Sequence, residues 1–246
     1  MTEIINVSET FLSIQGEGAT MGTLSVFLRM QSCDFNCVWC DTTEVWRKGT
    51  PYTYEQLYKI WEDNGSIEAL RNGAHLILTG GNPLLRQNEI CGFLNYVKGK
   101  NYRFEDMIGD IELEQQGNML PDSFMGRWIN RYNISPKLGN SGVPKEKRIV
   151  KEAMEWYARQ RDAIFKFVID KPEDITEMVN DYIIPFHIRP YKVWLMPCAS
   201  DFKQLHLHQE YEKDSKLQWV TELAIKNRWN VSDRLQIEIW DRTTGV

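Results

Sequence analysis

The chain has 246 residues, 42% of them hydrophobic and 26% charged, with a net charge of −5. That is apolar material enough for one α/β-sized domain, and the acidic balance without a basic run excludes a broad electrostatic footprint on nucleic acid. No apolar run reaches membrane-spanning length, residues 1–6 lack the blocks of a signal peptide, and five cysteines without a disulfide-like framework point to a reducing cytoplasm.

In chain order, Val7–Ser13 predicts a short strand and Gln15-Gly16-Glu17-Gly18 a backbone-exposing loop. Thr23–Met30 is β-rich and delivers the chain into a cysteine-bearing loop. Tyr54–Asn64 carries Leu57, Ile60 and Trp61 at helical spacing. His75–Gly81 reads as a buried strand ending in a glycine turn, followed by a helix to Val97, and Met107–Leu113 as a weaker strand. Trp128–Ile134 predicts a strand leading into Ser135-Pro136-Lys137. Lys145–Arg161 predicts one amphipathic helix, Ala163–Ile169 a strand, Thr176–Tyr182 a short helix, Lys192–Leu195 a strand and Tyr211–Arg228 a last helix. Leu235–Trp240 alternates and predicts an edge strand. Strands alternating with helices imply a mostly parallel sheet. About six such strands are too few for a closed eight-fold barrel. The expected fold is α/β, an incomplete (partial) TIM-type barrel of about six mostly parallel strands, with residues 1–246 forming a single domain.

Three of the five cysteines, Cys33, Cys37 and Cys40, are spaced Cys-x3-Cys-x2-Cys. A closed zinc site takes four ligands and an ordinary four-iron carrier four cysteines. Three thiolates suit a metal centre that keeps one position open. A zinc site completed by Cys91, Cys198 or a histidine is the alternative, as are plain buried thiols. In Gly80-Gly81-Asn82-Pro83 the glycines would let main-chain carbonyls approach a cation closely; alone, the same residues are a tight turn. The cysteine loop, Gly80–Pro83, the loop around Glu114 and Ser135–Lys137 all follow predicted strands, and in such folds strand ends converge on one rim.

The cysteine triplet, with Trp39 before its last member, is similar to that of radical S-adenosylmethionine (SAM) enzymes. Gly80-Gly81-Asn82-Pro83 resembles their Gly-Gly-Glu-Pro motif, with Asn82 replacing a charged acceptor. Gln15–Gly18, Phe27-Leu28-Arg29, the cysteine loop with Asp41-Thr42, and Glu114-Gln115-Gln116-Gly117 extend the pattern. So do Ser135-Pro136-Lys137, Phe165–Val168, Leu195-Met196-Pro197, Asp233–Gln236 and the terminal Gly245-Val246. Together these resemble the 7-carboxy-7-deazaguanine synthase family over nearly the whole chain.

The resemblance implies a radical SAM core with a [4Fe-4S] cluster on Cys33, Cys37 and Cys40. It implies SAM contacted by Trp39, Gly80, Gly81, Asn82 and Ser135, and Mg2+ on Thr42, a hard ion that keeps waters. The substrate would be 6-carboxy-5,6,7,8-tetrahydropterin, held by Gln15, Gly16, Glu17, Arg29 and Val246, with Arg29 forking onto its carboxylate. The implied substrate loop is 13–22, the cluster loop 32–42, and the tail 235–246 closes over the pterin. The implied reaction is a lyase-type radical ring contraction to 7-carboxy-7-deazaguanine with loss of ammonia, in 7-deazapurine (queuosine-type) biosynthesis. No catalytic side chain is implied beyond the cofactor-bearing cysteines. A flavodoxin or ferredoxin electron donor and a homodimer are implied in the same way.

Some residues keep two readings. Arg29 could serve a strand-end ion pair, Glu114 a buried ion pair or a place near SAM, and Lys137 could be a surface cation. Gln236 stands where many family members carry His. His75, His187, His206 and His208 match no motif and read as structural or surface, and Cys91 and Cys198 as buried or spare thiols. Two rival functions are a radical-generating activase acting on a partner protein, against which Gln15–Gly18 argues, and a zinc-stabilised binding module.

Overall fold

The computed structural model describes residues 3–101, 104, 108–206, 215–243 and 245. Its strands are β1 (Ile4–Ile14), β2 (Leu24–Met30), β3 (Thr50–Thr53), β4 (His75–Gly80), β5 (Ile111–Gln115), β6 (Arg131–Ile134), β7 (Ala163–Ile169), β8 (Val193–Pro197) and β9 (Asn230–Val231). They form one open sheet in the order β3-β1-β2-β4-β5-β6-β7-β8-β9. Every pairing from β2 to β9 is parallel. Only β1 runs antiparallel to its neighbours β2 and β3. A mostly parallel, unclosed sheet matches the incomplete barrel expected from the sequence, with seven parallel strands among nine where about six were expected.

The period of two along each strand sorts the side chains onto two faces. Val26, Leu28 and Met30 of β2, Leu76 and Leu78 of β4, Ile111 and Leu113 of β5, and Phe165, Phe167 and Ile169 of β7 all join the main hydrophobic core. The helices supply the other half of that core. Tyr54–Asp63 buries Leu57, Tyr58 and Trp61, and opens on a capping box in which Gln56 N donates to Thr53 Oγ1 at 3.1 Å and Thr53 N to Gln56 Oε1 at 2.9 Å. Such a cap is worth about 1 kcal/mol. The alternate positions, Arg29, Thr79, Glu114, Asn133 and Lys166, are too polar to pack under helices, and instead line a cavity on the opposite face.

Three expectations need correction. Lys145–Arg161 is two helices, Lys145–Arg148 and Lys151–Arg159, with Ile149 and Val150 extended between them. Arg148 causes the break. Its side chain turns inward to donate to Val143 O, Lys137 O and Tyr182 Oη and to pair with Glu177 at 2.5 Å, and the β-branched pair that follows has low helix propensity. Leu235–Trp240 is a helix, not an edge strand. Its alternation misleads because only Ile237 is buried, against Ala199 and Leu205, while Ile239 is exposed. The edge position beside β8 belongs to Asn230–Val231. Third, Met107–Leu113 shifts onward to Ile111–Gln115; Met107, like Tyr211 at the start of the expected last helix, lies outside the described residues. Among the described residues no helix is long and apolar enough to cross a membrane.

Candidate active site

A cavity of about 810 Å³ lies against the polar face of the sheet. Cys33, Cys37, Trp39, Cys40 and Thr42 reach it from the loop after β2, Gly80 and Gly81 from the end of β4, and Ser135 from the end of β6. Gln15, Gly16 and Glu17 reach it from the β1–β2 connection, and Arg29 from β2 itself. The chain thus gathers residues from four strands, β1, β2, β4 and β6, at one place. Asn82 is the exception. It is fully buried, with its Nδ2 donating to Asp34 Oδ1 at 2.8 Å. Val246 lies outside the described residues, although Gly245 lines the cavity.

The cysteine loop is held at both flanks. Ser32 has φ of 82°, unusual for a side chain, and its N–H donates to Trp46 O at 3.0 Å. Val38 N donates to Ser141 O at 3.0 Å and Trp39 Nε1 to Asn140 Oδ1 at 3.1 Å, tying the loop to the segment after β6. The turn after β4 packs directly beneath it. A Cβ at residue 81 would fall 2.3 Å from Ser32 O and 2.5 Å from the Cys33 Cβ, so only glycine permits this contact. Gly80 (φ +145°) meets the same limit against the Met30 backbone.

Three cysteines on one cavity wall are the donor type that anchors a four-iron cluster, although among the described residues no three His, Cys, Asp or Glu side chains are grouped closely enough to hold a metal ion. Burial pushes the Cys33 thiol up to about 11 and raises Cys37 as well. Burial also acts on Cys40, but hydrogen bonds from Thr43, Trp46 and Thr42 outweigh it and lower its pKa. Trp46 Nε1 lies 3.4 Å from the Cys40 Sγ. Thiols that resist ionising would become thiolates on binding a metal, which takes the place of the proton. Gln116 Oε1, beside them, is a buried acceptor without a partner. Lys137 is not a free surface cation. Its Nζ donates to Ser135 Oγ at 2.9 Å and lies 5.3 Å from the centre of the Trp39 ring. Burial lowers its pKa, while the cysteines favour its charged form.

The rest of the wall is a polar network. Arg29 Nε is held by Glu9 at 2.7 Å. Glu114 accepts from Thr79 Oγ1 at 2.6 Å and from Gln15 Nε2 at 3.4 Å, rather than pairing with a cation. Glu17 accepts from Lys166 Nζ, from Arg234 Nε at 3.1 Å and from Gln236 Nε2 at 2.8 Å. Burial alone would raise the Glu17 carboxyl, but Lys166 and Arg234 hold it well below the usual carboxylate range. Arg234 also donates to Ala199 O and Asp41 Oδ2, and these carboxylates keep its guanidinium charged despite burial. Of the residues expected as bystanders, Cys198 lines this cavity, His75 pairs with Glu112 at 2.6 Å and His206 with Glu238 at 2.7 Å. His208 lies outside the described residues.

Lys166 and Arg234 were not among the site residues expected from the sequence. One signal for Lys166 was present: a lone lysine inside Ala-Ile-Phe-Lys-Phe-Val-Ile is a charge that a strand buries only with a partner.

Comparison with known proteins agrees with this architecture. A family model described as a 4Fe-4S single cluster domain matches residues 14–108. The 7-carboxy-7-deazaguanine synthase of Hyperthermus butylicus is 30% identical, covering 96% of this chain and 93% of the relative. The protein of the same name from Pyrobaculum aerophilum is 28% identical, with 99% and 98% covered. The crystal structure of QueE from Escherichia coli superposes with a TM-score of 0.63 at 18% identity, covering 94% of this chain and 93% of that one.

Proposed function

The chain belongs to the 7-carboxy-7-deazaguanine synthase family, and from that membership we propose that its cavity carries out the radical ring contraction of 6-carboxy-5,6,7,8-tetrahydropterin to 7-carboxy-7-deazaguanine. One observation carries the reading. The Cys-x3-Cys-x2-Cys loop and the Gln15–Glu17 loop open into the same cavity of about 810 Å³, so cofactor and a bicyclic substrate share one enclosure. Neither a protein-activating enzyme nor a zinc module needs the second loop.

The cofactors of this reading are a [4Fe-4S] cluster and SAM, which when bound supply the radical chemistry that no side chain can. Cys33, Cys37 and Cys40 are the three anchoring thiolates, and the Lys137 ammonium offsets part of their charge. Gly80 and Gly81 keep the SAM side open, with Trp39 and Ser135 alongside. Gln15 and Gly16 address the pterin edge. Glu17 has committed three of its roughly four acceptor sites to Lys166, Arg234 and Gln236, so it meets the pterin as the hub of a fixed network with one oxygen site to spare. Glu9 fixes the Arg29 Nε edge, leaving the guanidinium's remaining donors for the pterin carboxylate. Gln236, Ile237 and Gly245 of the tail line the same cavity, and the family likeness assigns Val246 to the substrate. Excluding water and holding the reacting carbon in place are the protein's share of the catalysis.

Finer parts of the reading rest on the family alone: Mg2+ on the Thr42 hydroxyl, a flavodoxin or ferredoxin reductant, a cytoplasmic homodimer, and entry of the product into queuosine-type biosynthesis. Thr42 Oγ1 lies 3.7 Å from the Cys40 Sγ, so an ion there would sit next to the cluster loop.

The test is anaerobic turnover of the reconstituted protein with SAM, a low-potential reductant and the carboxypterin. Formation of 7-carboxy-7-deazaguanine with one ammonia per product is expected. Deoxyadenosine formed without the deazaguanine would assign the cavity to another substrate.

A further inference from the structure

Resting on the substrate reading above, we propose that Glu112, a buried carboxylate that lines no part of the cavity, is a positioning residue for the substrate loop and acts on it through Thr20. Neither residue belongs to a motif of the chain.

Glu112 is fully buried on β5, two residues before Glu114 and on the same face of the sheet. Its Oε2 accepts from Thr20 Oγ1 at 2.9 Å and from Asn133 Nδ2 at 2.8 Å, and its Oε1 meets His75 Nδ1 at 2.6 Å. An ionised carboxylate only accepts, so that ring nitrogen carries the proton. Among the described residues no lysine or arginine pairs with Glu112. Arg131 feels its charge but is paired with Asp110. A charge so far from water persists only where donors satisfy it, and here those donors come from the turn Gly18–Thr20, from β6 and from β4.

Two of the three donors bear on the substrate loop. Thr20 lies within it. Gln15 N donates to Thr23 O at 2.8 Å and Gly22 N to Gln15 O at 2.7 Å, so residues 15–23 form one closed turn. A pin at Thr20 therefore also sets where Gln15 stands. Asn133 supports the same turn from the sheet. With its Nδ2 committed to Glu112, its Oδ1 faces Gly18, 3.7 Å from where a Cβ there would stand. Gly18 has φ of +74°, and Ile164 Cδ1 comes within 3.1 Å of that same point, so loop main chain and sheet meet directly. The tail fastens the loop from the other side: Gly18 N donates to Ser232 Oγ at 2.8 Å and Leu235 N to Gly16 O at 2.9 Å. Of these three fastenings, the bond from Thr20 is the charge-assisted one, roughly twice as strong as a neutral bond.

Thr20→Val removes the hydroxyl at nearly constant shape and leaves Glu112 its other two donors. In the chain without substrate, amide hydrogen exchange across residues 15–23 is expected to speed up ~tenfold, with exchange in β4 and β6 unchanged. In the anaerobically reconstituted protein, KM for the carboxypterin is expected to rise ~tenfold, with kcat and SAM affinity unchanged. Thr20→Ser keeps the hydroxyl and must restore both. A merely structural role would lower the melting temperature and leave loop exchange and KM at their wild-type values, which would overturn the proposal. Should Thr20→Val not fold, Glu112→Gln decides, because a neutral amide weakens the same bond from its other end. Loop exchange must still rise, and an unchanged rate overturns the inference. A wild-type protein that binds SAM but turns over no carboxypterin would remove the substrate reading instead, while the exchange measurement still decides the anchor.

Discussion

Arg234 Nε donates to Glu17 Oε1 at 3.1 Å across 217 positions of sequence, so the C-terminal helix and the first loop share one buried ion pair. The same guanidinium reaches Asp41, next to Cys40, and the main chain at Ala199. Substrate loop, cluster loop and tail therefore meet on a single side chain. Lysine cannot span these three acceptors from one nitrogen. Arg234→Lys is expected to lower stability by about 2–4 kcal/mol, read by denaturant unfolding, and to raise KM for the pterin more than it lowers kcat.

Glu17 also sets a pH expectation. Its folded pKa is held below the ordinary carboxylate value. A depressed carboxyl contributes stability that is complete above its unfolded pKa, about 4.3, and is lost only as pH falls through the folded value. Between pH 5.5 and 8 the stability gap between wild type and Glu17→Gln should therefore be flat. A gap that closes on going from pH 7 to 5.5 would place Glu17 outside this network.

Restoring the commoner motif should harm this chain. Asn82→Glu would set a carboxylate against Asp34 and add a methylene in a fully buried position. A loss of about 1–3 kcal/mol is expected, with lower iron retention. Asp34→Asn in the same chain should recover the electrostatic part and leave the packing part. Equal stability of Asn82→Glu and wild type would contradict the clamp.

Arg29→Ala should spare the cluster and SAM binding while raising KM for the pterin by ~10–100-fold, the worth of a charge-assisted pair. Iron content and steady-state kinetics check it. Unchanged pterin affinity would reduce Arg29 to the partner of Glu9.

The sheet was legible because strand and helix periods alternate cleanly, and because polar residues at every second strand position, such as Glu114 and Lys166, mark the face that helices do not cover. The cysteine loop was legible because its spacing is chemical. Less accessible was anything decided by tertiary partners. Arg148 splits a helix that its own periodicity continues, and Ile237 alone among Leu235, Ile237 and Ile239 finds a buried seat. Asn82 sits in a motif position yet turns away, because Asp34, 48 residues earlier, offers it an acceptor. Local patterns carry no record of such distant bonds.

We propose that Cys33, Cys37 and Cys40 hold a four-iron cluster with one iron lacking a protein ligand. Mössbauer spectroscopy of the anaerobically reconstituted protein, before and after SAM, decides it. Four irons per chain are expected, with the signal of one iron in four shifting on SAM addition and the other three unmoved. A colourless protein holding a single zinc, or four irons that all ignore SAM, would contradict it.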